Sequence, residues 1–480
     1  MLFNSIEYFV FLPIVFIVYW LLNKNLKAQN FFLFIASYFF YGWWDWRFLG
    51  LLLLSTLIDY TFGFLVYDSN DKRKKFYMWF SIFNNLIVLA VFKYFNFFIV
   101  ETEHFFSNFG IHINVYILNI VLPVGISFYT FHGMSYVLDI YRGNFKPVKS
   151  FIDYALFVSF FPLLVAGPIE RAWHLLPQIQ RKRNFRYSQA RDGIGLILYG
   201  LFKKVVISDT IAKSANDIFD GYHYSSSVNL VLGAVIFSFQ IYADFSGYSD
   251  IAMGTAKLFG FELLTNFKFP YFSRNIAEFW RRWHISLSSW FRDYLYIPLG
   301  GSKGSKYKTI RNVIIIFLVS GFWHGANSTY IVWGLIHGLL FLPLYFFSTN
   351  RKKLDDIVAQ HRRVPTIVEV IQIIITFSTV TIAWIFFRSP TIDVAVSYIG
   401  RILTQAPSLK GLNLTTLVSL AYILVLVVLD WLNRHDERKL AIFNYRQKWV
   451  RLCMYTIIAI MVFDHFKIVS AQQSFIYFRF

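Results

Sequence analysis

The chain has 480 residues, 56% of them hydrophobic and only 15% charged. Soluble domains run at roughly 45–50% apolar and about 25% charged residues, so this composition excludes an ordinary soluble protein, and 56 Phe, 30 Tyr and 14 Trp point to a chain that meets lipid along most of its length. A single cysteine, Cys453, excludes intramolecular disulfides and a cysteine metal cluster.

The formal charge of +19 raises the question of a polyanion partner. The Lys and Arg residues, however, fall in short loops between apolar runs, as expected of cytoplasmic loops under the positive-inside rule. Topology therefore accounts for the charge, and no nucleic-acid partner is expected.

The opening "MLFNSIEYFVFLPIVFIVYWLLNK" lacks a basic leader and a small-residue cleavage site, so it reads as a retained span rather than a signal peptide. A span needs about 20 mostly apolar residues. Candidate spans are 6–22, 30–44, 48–67, 76–100, 114–141, 192–212, 228–258, 311–325, 328–347, 370–388, 416–432 and 449–466. Basic clusters at Lys24 and Lys27, Lys72 to Lys75, Arg142 to Lys149, Arg181 to Arg183, Lys303 to Arg311, Arg351 to Lys353 and Arg434 to Lys448 mark one side as cytoplasmic. The weakly basic "ETEHFFSNFGIHIN" belongs outside, and these signs place both termini outside.

Segment 151–171, "FIDYALFVSFFPLLVAGPIER", is apolar but has basic loops on both sides and carries Pro162, Gly167 and Pro168. Broken backbone at membrane depth survives only where protein or a water-filled cavity satisfies it. The segment reads as re-entrant, dipping in from the cytoplasm and returning; a misplaced span boundary is the alternative.

The span 228–258 contains "SFQIYADFSGYSDIAMG", with Gln240, Asp244, Ser246, Ser249 and Asp250 in an apolar setting. Asp244 and Asp250 lie about 240° apart on a helix. They are read as structural carboxylates that pair with Arg or cap broken helices rather than as an acid–base pair.

Segment 261–310 has weak spanning character. Trp280, Trp283, Leu287 and Trp290 follow helical spacing and predict one helix with a single aromatic face, and Glu278 with Arg282 forms an i,i+4 pair. Arg281, Arg292 and Asp293 make it too polar to span, so it reads as an interfacial or cavity-lining helix on the cytoplasmic side. His284 follows Trp280 by one turn and precedes Ser288 by one turn; alone, it is compatible with an ordinary interfacial histidine.

Next comes "VSGFWHGAN", between two apolar runs. A helix starting near Arg311 carries His324 roughly 20 Å deep at about 1.5 Å per residue, beyond the midplane of a core about 30 Å thick. Intramembrane ionisable residues are functional hypotheses by default. A neutral imidazole can take a proton from a hydroxyl; a hydrogen bond between helices is the structural alternative. Two histidines from separate segments would let one act as base while the other orients substrate or stabilises charge. The sequence contains no Walker loop, GxSxG elbow or HExxH motif, and no His/Cys/carboxylate cluster with metal-ligand spacing. "GGSKGSK" (300–306) is a basic glycine-rich loop that could at most contact phosphate.

The motifs "LFNSIEYFVFLPIVFIVYW", "LPVGISFYTFHGMSYVLDIYRG", "PLLVAGPIERA", "DFSGYSDIAMG", "NFKFPYFSRNIAEFWRRWHISLSSWFRDYLYIPLGG", "SGFWHGA" and the ending "FIYFRF" occur in this order over most of the chain. Together they resemble the membrane-bound O-acyltransferase family, in its bacterial branch of alginate O-acetylation. The resemblance implies one all-α integral membrane domain over 1–480, a polytopic transmembrane bundle of about 11–13 spans with re-entrant and interfacial helices enclosing a tunnel. Within it, 6–258 forms the first group of spans, 261–310 the cytoplasmic-side interfacial segment, 311–347 a hairpin carrying the catalytic histidine, and 370–466 the C-terminal spans.

It also implies that His324 is catalytic and His284 its partner position, with Trp280, Arg281, Trp283, Ser288, Trp323, Asn327, Asp244 and Gln240 as candidates for the tunnel lining. The expected reaction is acyl transfer, acetyl foremost, from a cytoplasmic thioester to hydroxyls of a cell-surface polysaccharide such as alginate or peptidoglycan. Acetyl-CoA is favoured over a carrier-protein thioester, and no bound cofactor or metal is expected. The setting is the bacterial cytoplasmic (inner) membrane, with an extracytoplasmic hydrolase-like acetyltransferase as partner. A transporter of a lipid- or polysaccharide-linked substrate and a non-catalytic scaffold of a cell-wall assembly complex are the competing classes.

Overall fold

The structure, a computed structural model, describes residues 1–112, 114, 117–118, 121–165, 167–350, 356–409, 411–435, 447–468 and 476. The basic cluster at 351–353, most of that at 434–448 and the closing "FIYFRF" apart from Ile476 lie outside the described residues. Among the described residues the regular elements are all helical. Seven are long and apolar enough to cross a bilayer: Trp46–Asp68, Asp71–Ser107, Ser227–Leu258, Ser328–Phe346, Ile367–Arg388, Leu414–Asn433 and Lys448–Phe466. The protein is a multi-pass membrane bundle.

Its surface is apolar in the way lipid requires. On Ile6–Leu21 the buried residues are Tyr8, Phe11, Val15 and Tyr19, while Val10, Ile14, Ile17 and Leu21 are exposed. Both stripes follow helical periodicity and both are hydrophobic, so one packs against protein and the other is suited to hydrocarbon.

The chain forms two compact units, Met1–Gly193 with Thr255–Leu264, and Ile194–Gly254 with Thr265–Phe480. In the first, Tyr8 Oη bonds Thr255 Oγ1 at 2.5 Å and Tyr19 Oη donates to the Phe259 carbonyl. Buried Asp59 accepts from Ser81 Oγ and Asn85 Nδ2 at 2.7 and 2.9 Å, which supplies a membrane-embedded carboxyl with the partners it requires. Among the described residues of the expected span 114–141, the helix covers Ile126–Tyr141; Pro123 and Gly125 (φ +74°) turn the chain into it.

Segment 151–171 is broken, as its prolines suggest. Helix Phe151–Ser159 gives way at Phe160 to the single turn Phe161–Leu164. The amide freed at Phe161 donates to Ser37 Oγ at 3.1 Å, so a neighbouring helix satisfies it. Glu170, fully buried, binds His174 Nδ1 at 2.6 Å and accepts from the Leu264 amide at 2.6 Å, while its own amide donates to His132 Nε2. Both histidines are thereby tied to Glu170.

In the second unit, a π-turn at Phe202–Ser208 follows Tyr187–Leu201 and carries Lys203 and Lys204 into the interior. Helices Lys306–His324 and Ser328–Phe346 form a close-packed hairpin. A methyl group on Gly321 would lie 2.2 Å from the Tyr330 carbonyl oxygen, and one on Gly334 would lie 2.2 Å from that of Phe317. Glycine is required at this contact because the two backbones touch. Ile392–Thr404 is an additional amphipathic helix outside the expected spans.

One sequence expectation is overturned here. The aromatic helix expected across residues 272–293 is two short helices, Ile276–Arg282 and Ile285–Phe291, separated by Trp283 and His284. The Lys268 amide donates to the Arg282 carbonyl at 3.0 Å and the Ile285 amide to the Asn266 carbonyl at 2.9 Å. The strand-like 266–268 segment thus takes the hydrogen bonds that a continuous helix would have used.

Candidate active site

The break at residue 284 positions the first histidine. His284 has φ +43° and ψ +54°, a left-handed backbone that is uncommon for any residue with a Cβ. Such conformations persist only where surrounding structure fixes them, and they cluster at functional sites. Here the fixing contacts are the paired backbone bonds to 266–268 and a 2.6 Å bond from Ser286 Oγ to Asn266 Oδ1. The His284 ring is fully buried, edge-on to Phe245 with centroids 4.7 Å apart.

The second histidine ends a helix. His324 is the last residue of Lys306–His324, and Gly325 continues in extended backbone. Its ring packs against Trp323, Trp333 and Phe387 at 5.0, 5.1 and 5.4 Å and lies 6.5 Å from His284. An imidazole nitrogen lies about 1.2 Å from its ring centre and a hydrogen bond spans about 2.8 Å, so one oxygen atom could reach a nitrogen of each ring. Two segments forty positions apart in sequence are thereby brought together at the inner end of a helix.

Of the expected tryptophans, Trp323 lies against both histidines, and Trp283 and Trp280 stand further out in the aromatic shell. Trp283 is fully buried against Phe267 and Trp384, and Trp323 lies 6.0 Å from His284. Trp280 packs on Trp333 and Phe317. The segment carrying them is anchored by ions: buried Glu278 pairs with Arg274 at 3.0 Å and with Arg282 at 3.1 Å, and Arg274 reaches Glu369 at 3.5 Å. Arg281 donates to the Asn350 carbonyl, and with Ser288 it lines a cleft of about 550 Å³ that also includes Trp280 and Arg292. Ser288 and Arg292 also line a second cleft of about 580 Å³, with Phe317, Phe341 and Ser302.

The remaining candidates have other partners. Asn327 caps Ser328–Phe346, its Oδ1 accepting from the Thr329 amide and its Nδ2 donating to the Pro390 carbonyl. Gln240 and Asp244 share a helix with Phe245, the residue that touches His284. Asp244 pairs with Lys204 at 2.7 Å, and Lys204 also binds Asp209 at 2.8 Å; Asp250 pairs with Lys203 at 2.6 Å. Both carboxylates are paired, but with lysines rather than the arginines expected. The dipeptide Lys203-Lys204 inside an apolar span was the signal for this.

The site is thus a buried pair of histidines in an aromatic shell, inside a multi-pass bundle. The chain belongs to the MBOAT, membrane-bound O-acyltransferase, family, whose profile matches residues 38–387, and it is an O-acyltransferase. It is 38% identical to "Probable alginate O-acetylase AlgI" of Pseudomonas aeruginosa, covering 82% of this chain and 72% of that one. Identity to "Peptidoglycan O-acetyltransferase" of Helicobacter pylori is 33%, over 95% and 88% of the two chains. "Teichoic acid D-alanyltransferase" of Bacillus subtilis is 31% identical over 49% of this chain and 62% of its own.

Proposed function

We propose that this protein moves an acetyl group from a cytoplasmic thioester, acetyl-CoA, to hydroxyls of an extracytoplasmic cell-surface polysaccharide, and that it does so in the bacterial cytoplasmic membrane. The observation that carries the reading is the 6.5 Å pairing of His284 and His324 within a buried aromatic shell. The choice of acetyl follows the relatives: those named for O-acetylation align over 82% and 95% of the chain, the D-alanyl relative over 49%. The acceptor is of the alginate or peptidoglycan class. An extracytoplasmic hydrolase-like acetyltransferase is the partner that this reading includes.

His324 takes the proton of the acceptor hydroxyl as its oxygen attacks the thioester carbonyl carbon. The tetrahedral oxyanion is stabilised by hydrogen-bond donation in the water-poor site, with His284 the nearest imidazole. Collapse breaks the C–S bond, and the leaving thiolate takes up the proton from His324, which returns to its neutral form. The products are ester and thiol, with no net proton change. Cys453, the sole cysteine, is exposed on the Lys448–Ile468 helix, so no cysteine nucleophile shares the site; direct transfer is the reading adopted.

The test is thiol release from acetyl-CoA by the purified protein with a polysaccharide acceptor, comparing wild type with His324→Ala and His324→Gln. Positioned general bases contribute about 10²- to 10⁴-fold, and a loss on that scale in both variants is expected. A histidine serving only as an interhelical hydrogen bond predicts rescue by Gln and an Ala cost of about 1–2 kcal/mol in stability. A transporter or scaffold would release no thiol at all.

A further inference from the structure

A third histidine lies one aromatic layer from the pair. His337, on Ser328–Phe346, is fully buried. Its ring stacks on Phe279 and Phe317, with interplanar angles of 5° and 20°, and meets Trp280 and Trp333 edge-on at 5.0 Å each. Trp333 in turn touches His324 at 5.1 Å. Neither ring nitrogen of His337 has a hydrogen-bond partner among the described residues, and the indole N–H groups of Trp280 and Trp333 have none either. Leaving such groups unpaired in an apolar interior is costly, and three neighbouring ones indicate a polar guest.

The layer borders the clefts already described. Trp280 lines one and Phe317 the other, and Phe341 and Arg292 belong to both. A neutral imidazole offers one donor and one acceptor, whereas indoles only donate. That set is complementary to a secondary amide, whose carbonyl accepts and whose N–H donates, with extra donors for a second carbonyl. We infer that His337, Trp280 and Trp333 form a binding site for the amide groups of the acyl donor's thiol arm. The site lies between the clefts and the reacting thioester at His324. This rests on the acyl-transfer reading above and makes His337 a specificity-determining residue for donors that carry an amide near sulfur.

Two short donors isolate the effect: S-acetyl-N-acetylcysteamine, which has one amide, and pentyl thioacetate, of similar length with none. For wild type in detergent, kcat/KM should favour the amide donor by about tenfold, the scale of one buried hydrogen-bonded group. In His337→Phe this ratio should fall toward one, and His337→Gln, which keeps a donor and an acceptor, should retain most of it. Trp280→Phe, at the cleft wall, should lower the ratio as well and serves if His337→Phe does not fold. Where the short donors turn over too slowly, the same ratio is read from their inhibition constants against acetyl-CoA. An unchanged ratio in His337→Phe and Trp280→Phe, as expected if water satisfies these groups, would overturn the inference. So would a wild-type ratio near one. Failure of wild type to release thiol from acetyl-CoA would instead overturn the parent reading, and this one with it.

Discussion

At the residue scale, His284 shows how side-chain chemistry and backbone conformation are tied together. Its positive φ is held by backbone bonds to 266–268, so substitutions there act twice. His284→Gly removes the ring but suits the left-handed backbone; His284→Ala removes the ring and keeps a Cβ where it is disfavoured. The alanine variant should therefore be the less stable of the two by about 1 kcal/mol, reversing the usual order of glycine and alanine. Thermal unfolding in detergent reads this, and acyl transfer should fall in both. Equal melting temperatures would mean that the backbone relaxes when the imidazole is removed. The two histidines were both legible in the sequence as ionisable groups beside aromatic runs. The turn at His284 was not, because Trp280, Trp283, Leu287 and Trp290 fit a continuous helix and the competing hydrogen bonds come from residues fourteen or more positions away. His337 escaped notice for a different reason: a lone mid-span histidine carries no motif, and only its unpaired nitrogens set it apart.

At the scale of elements, the π-turn Phe202–Ser208 directs two adjacent lysines inward, Lys203 to Asp250 and Lys204 to Asp244 and Asp209. Asp430 adds a further buried carboxyl, held by Tyr242 and Tyr199 at 2.8 and 3.3 Å. Breaking a buried ion pair costs about 3–5 kcal/mol because one charge is stranded, whereas replacing both members by apolar groups is often neutral. Lys203→Met alone should accordingly lower the melting temperature strongly, and Lys203→Met/Asp250→Leu should recover most of the loss. A double variant as unstable as the single one would point to a role for Asp250 beyond this pair. Seven of the twelve expected spans are helices long and apolar enough to cross a bilayer, and these were readable from apolar length. The way lysines and carboxylates are shared among them was not, since a lysine in an apolar run can equally extend to the membrane surface.

At the scale of the molecule, orientation decides which side supplies the donor. The loop after the broken aromatic segment is expected on the cytoplasmic side. Ser302 there is exposed, whereas Ser273, at the other end of the segment, is buried, so Ser302 is the residue to label. In a Cys453→Ala background, Ser302→Cys should react with impermeant thiol reagents in inside-out vesicles and not in intact spheroplasts. Lys303 in the same loop, and Lys306 and Lys308 in the first turn of the helix that follows, are exposed, and Ser302 lines the 580 Å³ cleft. Replacing the three lysines with Gln should raise the apparent KM for acetyl-CoA, more at low than at high salt, because exposed charges are screened over about 10 Å at 0.1 M. An unchanged KM at low salt would place the donor's phosphates elsewhere.

The touching glycines of the hairpin bear on the membrane itself. Because Gly321 seats on Tyr330 and Gly334 on Phe317 at backbone contact, the two helices cannot slide past one another. Slippage by one turn would displace His324 about 5.4 Å along the axis. A bilayer that grows thicker or thinner by a few ångströms must therefore be met by tilting the hairpin as one body or by deforming the lipid around it. Acyl-chain length in the surrounding bilayer then changes the angle at which the hairpin stands, while the position of His324 along it is preserved.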